Sequence, residues 1–347
     1  MTLPKRNLLI RSIFSLSLIG MFMLFAYLII TPFEGAPLSQ IVNFMAADDW
    51  LEYIEYVSFD IYDWTIVFAL AFLALELIND VANKRMSRSR FYETLSSCFT
   101  QVPYYLTEAF VFGGAVYVYF TIHEPISWQL PVDLSMALLV LLLADFTYYV
   151  EHFFMHKVRL FWLAHSVHHS STDMNTATAF RFSIFDPLAS AIFHLPLVLM
   201  GFNPILIFAA EVIVQAYQFW LHNEMVGKLG PIEWFFNTPS HHRVHHGSNP
   251  KYIDKNYGGI LIIWDRLFGT FQKEDELPTY GLTTPMTSKN PITVQFYEFP
   301  KLFRDLSTAK GAREVIGYIF RAPGWQPNRL IQDANDPSSS RKTSNLN

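Results

Sequence analysis

Nine of the twelve histidines in this 347-residue chain fall into three short clusters between residues 152 and 246. The clusters are His152 and His156; His165, His168 and His169; and His241, His242, His245 and His246. Spacings of three and four residues place imidazoles on one face of a helix, where they can converge on a common point. Three such clusters supply more nitrogen ligands than one metal uses, since a structural zinc takes four and a catalytic zinc usually takes three. The pattern therefore predicts two metal ions.

The remaining candidate residues are assigned from their position relative to the clusters. His222 ends an apolar stretch at the level of the clusters and is predicted to be a further ligand, whereas His194 sits within an apolar stretch and is predicted to be structural. Asp145 lies seven residues before His152, which places it on the same stripe of a helix. It either accepts the second N–H of a ligand histidine or bonds to a tyrosine hydroxyl, such as that of Tyr148 or Tyr149. Asn175 is predicted to orient a ligand or to bind the metal directly.

Short helices are expected to carry the second and third clusters. His165, His168 and His169 are predicted to begin one helix, and Pro239 and Ser240 are predicted to start the other.

The arrangement HxxxH, HxxHH, HHxxHH resembles the fatty acid hydroxylase and sterol desaturase superfamily. Two regions are similar to its alkylglycerol monooxygenase branch. The first is HSVHHSS (residues 165–171), followed by Asn175, and the second is NTPSHHRVHHG (237–247), followed by DKNYGG (254–259) and WDRLFGT (264–270). The resemblance covers about residues 135 to 275.

The resemblance implies an O2-dependent enzyme with two iron ions that hydroxylates a membrane lipid. Imidazole also suits zinc, copper and nickel, so the residues alone do not name the metal. Desaturation is a close alternative, because both reactions begin by hydrogen abstraction. A membrane protein that binds or carries metal without turnover is an alternative of another class. No haem-binding segment, flavin fingerprint or cluster-binding cysteine set occurs in the sequence, so a separate redox protein or a small reductant must supply electrons.

Two positions depart from the alkylglycerol monooxygenase pattern. Lys157 stands where a glutamate follows the second histidine of the first cluster, and Phe153 stands where an arginine commonly follows the first. Glu151 precedes His152 but points about 100° away from it on a helix. Ether-lipid cleavage and dependence on a pterin are therefore not implied for this chain, although a pterin is retained as one candidate donor.

The composition places these residues in a membrane protein. Hydrophobic residues make up 51% of the chain and charged residues 16%, and the net charge of −5 offers no basic face for nucleic acid. The single cysteine, Cys98, excludes an internal disulfide and a CxxC zinc site. Apolar runs predict spans at about 12–30, 64–80, 105–122 and 132–150, and a helical hairpin at about 187–221, broken at residues 201–204.

The distribution of basic residues orients these spans. Lysine and arginine are missing from residues 12–83, 91–156 and 182–227, whereas Lys84, Arg85, Arg88 and Arg90 lie together. By the positive-inside rule both termini and all three histidine clusters are cytoplasmic. The expected architecture is an all-α integral membrane protein with four to six spanning helices and a cytoplasmic histidine-rich di-metal cap. We divide it into an N-terminal membrane region (1–130), a catalytic domain (131–275) and a C-terminal extension (276–347) with a disordered tail from Ser338.

Overall fold

The computed structural model describes residues 8–30 and 49–330, and the regular structure in these residues is helical. The two extended pairings within them are isolated bridges, between Phe236 and Leu261 and between Gly247 and Tyr280. In chain order the α-helices are α1 (Leu8–Ile30), α2 (Asp49–Ala82), α3 (Arg88–His123), α4 (Leu134–Lys157), α5 (Arg159–His169), α6 (Asp186–Leu199), α7 (Pro204–Phe219), α8 (Pro239–His245), α9 (Ile263–Phe268), α10 (Pro291–Phe296), α11 (Phe299–Ser307) and α12 (Ala312–Phe320).

Four of the described helices are long and apolar enough to cross a membrane, which confirms the all-α membrane architecture. Their candidate spans are Leu9–Tyr27, Trp50–Ala82, Arg88–His123 and Leu134–Lys157. Helices α2 and α3 have 34 and 36 residues and extend well beyond the spans expected from the sequence. Helices α6 and α7 have 14 and 16 residues, so each is at most about 24 Å long and shorter than a hydrocarbon core of about 30 Å.

The predicted break in the α6–α7 hairpin has a local physical cause. Gly201 adopts a left-handed conformation (φ 96°), and a Cβ at this position would lie 2.5 Å from the carbonyl oxygen of Trp128. Asn203 then caps α7 by accepting from the amide of Ile205 at 2.9 Å, and Pro204 takes the first helical position. The chain therefore reverses tightly and returns α7 against α4.

Helix α7 is central to the packing because it lies against both α2 and α4. The largest buried cluster joins α4 to α6 and α7 through residues such as Ala144, Val198, Ile207 and Val214. A second buried cluster joins Phe14 of α1 and Phe72 of α2 to the segment that follows α7, including Leu221. Together these clusters fix the C-terminal end of α7, just before His222.

A one-residue link joins α4 and α5 and brings the first two histidine clusters face to face. Val158 is the C-cap of α4 and the N-cap of α5. The prediction that His165, His168 and His169 begin a helix is wrong, because they form the end of α5. Helix α5 starts immediately after Val158, where the amide of Arg159 is satisfied by the carbonyl of Arg321 at 2.9 Å. The predicted disordered tail from Ser338 lies outside the described residues.

Candidate metal centre

Nine buried histidines form two groups, each arranged so that it could hold a metal ion. Within each group one ligand atom per residue lies within 4.8 Å of all the others. The first group is His152, His156, His165, His169 and His245, and the second is His168, His222, His242 and His246. Imidazole donors suit iron, zinc, copper and nickel.

Two short helices each contribute to both groups. In α5, His165 and His169 belong to the first group, and His168, on a different face, belongs to the second. In α8 and its C-cap, His245 belongs to the first group, whereas His242 and His246, one turn apart, belong to the second. Helix α8 starts at Pro239, as the sequence predicted. Because α5 and α8 are shared, the two groups adjoin each other: the rings of His169 and His246 stack with centroids 4.5 Å apart.

The Nε2 atoms in the first group approach one another at the spacing of metal ligands. The Nε2–Nε2 distance is 3.0 Å between His152 and His165, 3.1 Å between His165 and His169, and 3.2 Å between His156 and His169. Two nitrogens each about 2.1 Å from one ion lie about 3.0 Å apart at a right angle and about 3.4 Å apart in a tetrahedron. The observed distances fall within this range.

The second group has similar Nε2–Nε2 distances, one of them slightly shorter than those of the first group. Nε2 of His222 lies 3.1 Å from Nε2 of His168 and 2.8 Å from Nε2 of His242, and the Nε2 atoms of His242 and His246 are 3.1 Å apart. His222 comes from the segment after α7 and was predicted from its position alone. It completes this group from a different part of the chain than α5 and α8.

The second ring nitrogen of four of these histidines donates to a backbone carbonyl. Nδ1 of His152 donates to Tyr257 at 3.0 Å and Nδ1 of His245 to Lys255 at 3.0 Å. In the second group, the corresponding bonds run from His168 to Arg181 at 3.3 Å and from His222 to Gln218 at 2.9 Å. A proton held on Nδ1 leaves the Nε2 lone pair free for a metal. Nε2 of His245 is buried and has no hydrogen-bond partner within residues 8–30 and 49–330, as expected of an atom that ligates an ion. The donor set therefore fits a pair of metal ions.

Burial also keeps the imidazoles in the form that binds metal. Removal from water, reinforced by neighbouring histidines, lowers the pKa of His168, His169 and His245 well below its usual value. Burial lowers the pKa of His222 to about 4. Neutral imidazoles need not release a proton when a metal binds, so the site is prepared for its ligand near neutral pH.

A carboxylate that the sequence analysis did not single out contacts the first group. Oδ1 of Asp254 lies 3.5 Å from Nδ1 of His156, and its second carboxylate oxygen accepts from Nζ of Lys157. Burial raises the pKa of Asp254, but the hydrogen bonds from His156 and Lys157 outweigh it and hold this pKa at about 2. Asp254 therefore stays ionised and connects His156 to Lys157. A signal was present in the sequence, because Asp254 begins the DKNYGG run and Lys157 departs from the branch pattern.

Asp145 makes neither of the contacts expected from the sequence. Its carboxylate accepts from the amides of Ile260 at 2.5 Å and Leu261 at 3.2 Å and from Nε1 of Trp264 at 2.8 Å. The hydroxyl of Tyr149 instead contacts that of Thr270 at 3.2 Å. Asp145 therefore anchors the segment that follows Tyr257, whose carbonyl orients His152.

A second buried carboxylate, Asp265, stabilises the same segment from the other side. It accepts from the amides of Tyr257 at 2.8 Å and Gly258 at 2.7 Å and from the hydroxyl of Thr270 at 2.6 Å. Sequence reasoning included this residue only within the WDRLFGT run and gave it no role. The segment between the two aspartates is thus fixed by backbone bonds, which gives the Tyr257 carbonyl a defined position.

Three other candidates lie outside both histidine groups. The side chain of Asn175 caps a 3-10 helix (Thr176–Phe180) and donates to Oγ1 of Thr94 at 3.2 Å. His241 packs edge-on against Phe271 with ring centroids 5.4 Å apart. His194 pairs with Glu211 at 2.8 Å, in keeping with a role other than metal binding.

An arginine that carried no signal in the sequence supports the second group. Arg181 is fully buried, and its Nη1 donates to Glu93 at 2.9 Å while its Nε donates to the carbonyl of Val167 at 3.1 Å. Its own carbonyl accepts from His168. Arg181 therefore ties α3 to the end of α5 and to a candidate ligand.

A cavity of about 210 Å³ reaches both histidine groups from among the long helices. His152 and His165 of the first group and His168 and His222 of the second line its inner end. Its other end extends along α3 and α7 to apolar residues such as Phe112 and Phe208. A lipid chain entering from among these helices could therefore reach the metal centre.

Comparison with known proteins shows that the same region of the chain is similar to a known family. Residues 137–270 match the fatty acid hydroxylase family model. Alkylglycerol monooxygenase from Homo sapiens is 45% identical over 186 residues, which cover 53% of this chain and 41% of the human protein. The Danio rerio alkylglycerol monooxygenase is 40% identical over 232 residues, covering 66% and 51%. An ornithine lipid hydroxylase from Rhizobium tropici is 30% identical over 195 residues, covering 56% of each chain.

These matches confirm the resemblance to the fatty acid hydroxylase superfamily and to its alkylglycerol monooxygenase branch. The chain spans about half the length of the curated relatives it matches. No solved structure matches it.

Proposed function

We propose that this chain, whose residues 137–270 carry the fatty acid hydroxylase domain, is a membrane-bound di-iron oxygenase that hydroxylates a C–H bond of a membrane lipid. The observation that carries the proposal is the pair of histidine groups, which are buried and lie at the inner end of a cavity among membrane helices. Histidine ligands without competing thiols suit redox-active iron, and the cavity gives a lipid chain access to it.

In the proposed reaction a lipid C–H bond, O2, two electrons and two protons yield an alcohol and one water. The electrons come from a separate redox protein or a small reductant, and a pterin is one candidate. Two iron ions, when bound, would supply the activation of O2 that an unactivated C–H bond requires. General acid–base groups alone offer no route to such a bond, because it has no acidic proton.

The chain's own residues hold and orient this centre. The first histidine group would bind one ion and the second the other. Backbone carbonyls of Tyr257, Lys255, Arg181 and Gln218 fix the rings of their histidine partners, and Asp254 acts in the same way on His156. We assign Asp145 a positioning role, and we propose no direct contact of Asn175 or His241 with metal.

The relatives indicate which substrates to test first. Their names specify an alkylglycerol and an ornithine lipid, which are both lipids with a polar headgroup. A Candida albicans Δ7-sterol 5(6)-desaturase is also similar, at 23% identity over 239 residues. We therefore propose a polar membrane lipid as substrate and hydroxylation as the reaction, and desaturation is the outcome that the experiment below separates.

The proposed topology follows from the basic residues and the four long helices. Lys84, Arg85, Arg88 and Arg90 lie between α2 and α3, and we place this turn, both termini and the histidine groups in the cytoplasm. We retain the three-part division into residues 1–130, 131–275 and 276–347.

The test uses purified protein in lipid nanodiscs, supplied with Fe²⁺, a reductant and ¹⁸O2, with an alkylglycerol and an amino lipid offered in turn. Mass spectrometry of the lipids should show a gain of one ¹⁸O atom, which is lost in His168→Ala and His245→Ala. His123→Ala is the matched control, because His123 belongs to neither group and contacts the carbonyl of Gly201. Loss of two hydrogens without ¹⁸O would assign a desaturase. Unchanged lipids, with iron bound, would favour the metal-carrying alternative.

A further inference from the structure

Four carboxylates line the cavity that leads to the metal centre, each from a different helix. They are Glu108 of α3, Glu151 of α4, Asp186 of α6 and Glu211 of α7. Carboxylates at membrane depth are costly unless they have partners or a function. Their concentration around one cavity, in a chain with only 16% charged residues, calls for an explanation.

Among the described residues, one histidine lies close enough to these carboxylates to pair with them as a cation. His194 lies 2.8 Å from Glu211 and 4.0 Å from Glu151. Glu108 accepts from the hydroxyl of Tyr104 at 3.1 Å. One oxygen of Asp186 accepts from the amide of Ser183 at 2.6 Å, and its other oxygen is buried and has no hydrogen-bond partner in the described part of the chain.

Two amides that line the same cavity also have an unsatisfied acceptor. The Oε1 atoms of Gln101 and Gln218 are buried and have no hydrogen-bond partner among the described residues. Both side chains are well inside the protein, with 7% and 5% of their surface exposed, and Asp186 has 9% exposed. Unsatisfied buried acceptors are rare in folded proteins, so three around one cavity indicate a ligand that supplies donors.

A protonated amine meets this requirement. An ammonium group has three N–H donors and no acceptor. It also carries a positive charge, and four carboxylates with one imidazole as partner are short of positive charge. A carboxylate or phosphate group would add negative charge and further acceptors to a cavity already rich in both. We propose that Asp186 and Glu151, with the amide oxygens of Gln101 and Gln218, form a subsite for the protonated amine of a lipid. That this lipid is the substrate rests on the proposed function, whereas its binding does not require turnover.

The test measures binding rather than oxidation. Wild-type protein in nanodiscs is titrated with dodecylamine and with dodecanol, and binding to empty nanodiscs is subtracted from each. Dodecylamine should bind at least about tenfold more tightly than dodecanol, an effect that one charge-assisted hydrogen bond can supply. Asp186→Asn and Glu151→Gln should lose this preference while binding dodecanol unchanged. Glu124→Gln, at an exposed position beyond the end of α3, is the matched control and should keep the preference.

Equal binding of the amine and the alcohol by the wild type would overturn the amine subsite, as would an unchanged preference in both cavity variants. The metal content of each variant is measured in parallel, so that loss of folding is recognised. A protein that prefers the amine but oxidises no lipid would retain this inference and refute the proposed function.

A separate observation concerns an aromatic surface beside α4. Asp145, which bonds to residues 260–264, lies twelve residues before the end of α4 at Lys157, or about 18 Å along the helix axis. If Lys157 is at the membrane surface, Asp145 is deep within a hydrocarbon core of about 30 Å. The segment that Asp145 anchors must lie at the same depth.

Large apolar side chains are exposed next to this segment, on the helix that contains Trp264 and on the residues paired with the segment around Phe235. Trp234 and Phe235 at the end of one 3-10 helix (Gly230–Trp234) and Leu267 and Phe268 in α9 are all exposed, with 71% of the surface of Leu267 accessible. The ring of Phe268 is 6.0 Å from that of Phe146 on α4. The aromatic surface (residues 232–236 and 263–268) is therefore continuous with the exposed leucines of α4, such as Leu142.

Backbone polar groups of this surface form hydrogen bonds within the protein, which the membrane interior requires because it offers no water. The amide of Ile262 donates to Phe235 at 2.9 Å and that of Asn237 to Ile260 at 2.8 Å. The guanidinium of Arg266 donates to the carbonyls of Glu233 and Trp234 at 3.0 and 3.1 Å and stacks on the Trp234 ring at 4.7 Å. Non-helical backbone is tolerated at membrane depth only when the protein satisfies it. We infer that the aromatic surface is embedded in the bilayer and contacts acyl chains, so that the chain dips back into the membrane both before and after its last histidine cluster.

Spin labelling tests this second inference independently of activity. A nitroxide is attached to Leu267→Cys in a Cys98→Ser background, with Lys273→Cys, an exposed polar position, as the control. In nanodiscs the label at 267 should be relaxed more strongly by O2 than by a water-soluble nickel complex, and the label at 273 should show the reverse. A label at 267 that is readily relaxed by the nickel complex would overturn the inference.

Discussion

Asp145, at the middle of α4, accepts a hydrogen bond from the indole nitrogen of Trp264 at 2.8 Å. The same carboxylate accepts hydrogen bonds from the amides of Ile260 and Leu261. These residues follow shortly after Tyr257, whose carbonyl fixes the ring of His152. His152 lies seven residues after Asp145 on the same helix, so α4 carries both a candidate metal ligand and the anchor for the segment that orients it.

Replacement of Asp145 by asparagine should therefore impair both stability and metal retention. The amide retains one acceptor oxygen but cannot serve three donors, and each lost bond to a charged group costs about 1.5 to 3 kcal/mol. We expect a melting temperature several degrees lower and partial loss of iron. Differential scanning fluorimetry and elemental analysis measure the two effects. Wild-type values for both would show that the anchor is dispensable.

Gly259 should not tolerate even a methyl group. A Cβ at this position would lie 2.6 Å from Oδ1 of Asp145, closer than real Cβ contacts allow, and 3.0 Å from Cδ1 of Tyr148, which is also a tight contact. Gly259→Ala should therefore displace the anchored segment and lower the yield of folded, metal-loaded protein. Gly227→Ala, where nothing lies within 4 Å of the new Cβ, is the matched control. Size-exclusion chromatography and iron content compare the two, and equal behaviour would contradict the packing described here.

Lys157→Glu would restore the residue type of the alkylglycerol monooxygenase branch, and the structure predicts that it is harmful. The new carboxylate would face Asp254, which now accepts from Lys157 and contacts His156. Like charges in place of an ion pair should disturb His156 and weaken iron binding at least about tenfold, within the range seen for outer-shell changes. Lys157→Met removes the pair without repulsion and should have a smaller effect. Iron affinity by competition with a chelator measures the difference. Tighter binding in Lys157→Glu would show that Asp254 does not play the role assigned to it.

Metal-free protein should become less stable as the pH falls from about 6.5 towards 4. Burial lowers the pKa of His222 and of His241 to about 4, and the cation Arg266 contributes at His241. An imidazole in the unfolded chain titrates near 6.5. Between these values the unfolded chain binds more protons than the folded chain, so the free energy of unfolding decreases as the pH decreases. Melting curves in a chelating buffer should show this slope, and His241→Gln should make it shallower. A melting temperature independent of pH would contradict the burial of these imidazoles.

The spacing of the histidines was enough to predict a two-metal site, because helical periodicity fixes which residues share a face. It could not divide the histidines into groups, since that depends on how α5 and α8 end. His168 and His169 are neighbours in sequence and belong to different groups, and His241 turns towards Phe271 instead. The long apolar helices were predictable for a different reason, because uncharged apolar runs of about twenty residues are long enough to cross a bilayer.

The supporting contacts were beyond sequence reasoning because they join distant segments. The role of Asp145 depends on a loop more than one hundred residues away, and the bond from His168 to the carbonyl of Arg181 involves a backbone atom that any residue would provide. Asn175 was a plausible ligand from its place after the second cluster, whereas it caps a 3-10 helix. Polar residues near a metal motif can thus serve the fold, and only the packing distinguishes the two uses.

If the two histidine groups hold two ions, the metal content of the purified protein must show it. Wild-type protein reconstituted with Fe²⁺ is compared with His245→Ala from the first group, His222→Ala from the second and His123→Ala as control. The account predicts about two irons per chain in the wild type and the control, and a clear loss in each of the other two variants. One iron or none in the wild type, or full occupancy in both group variants, would contradict it.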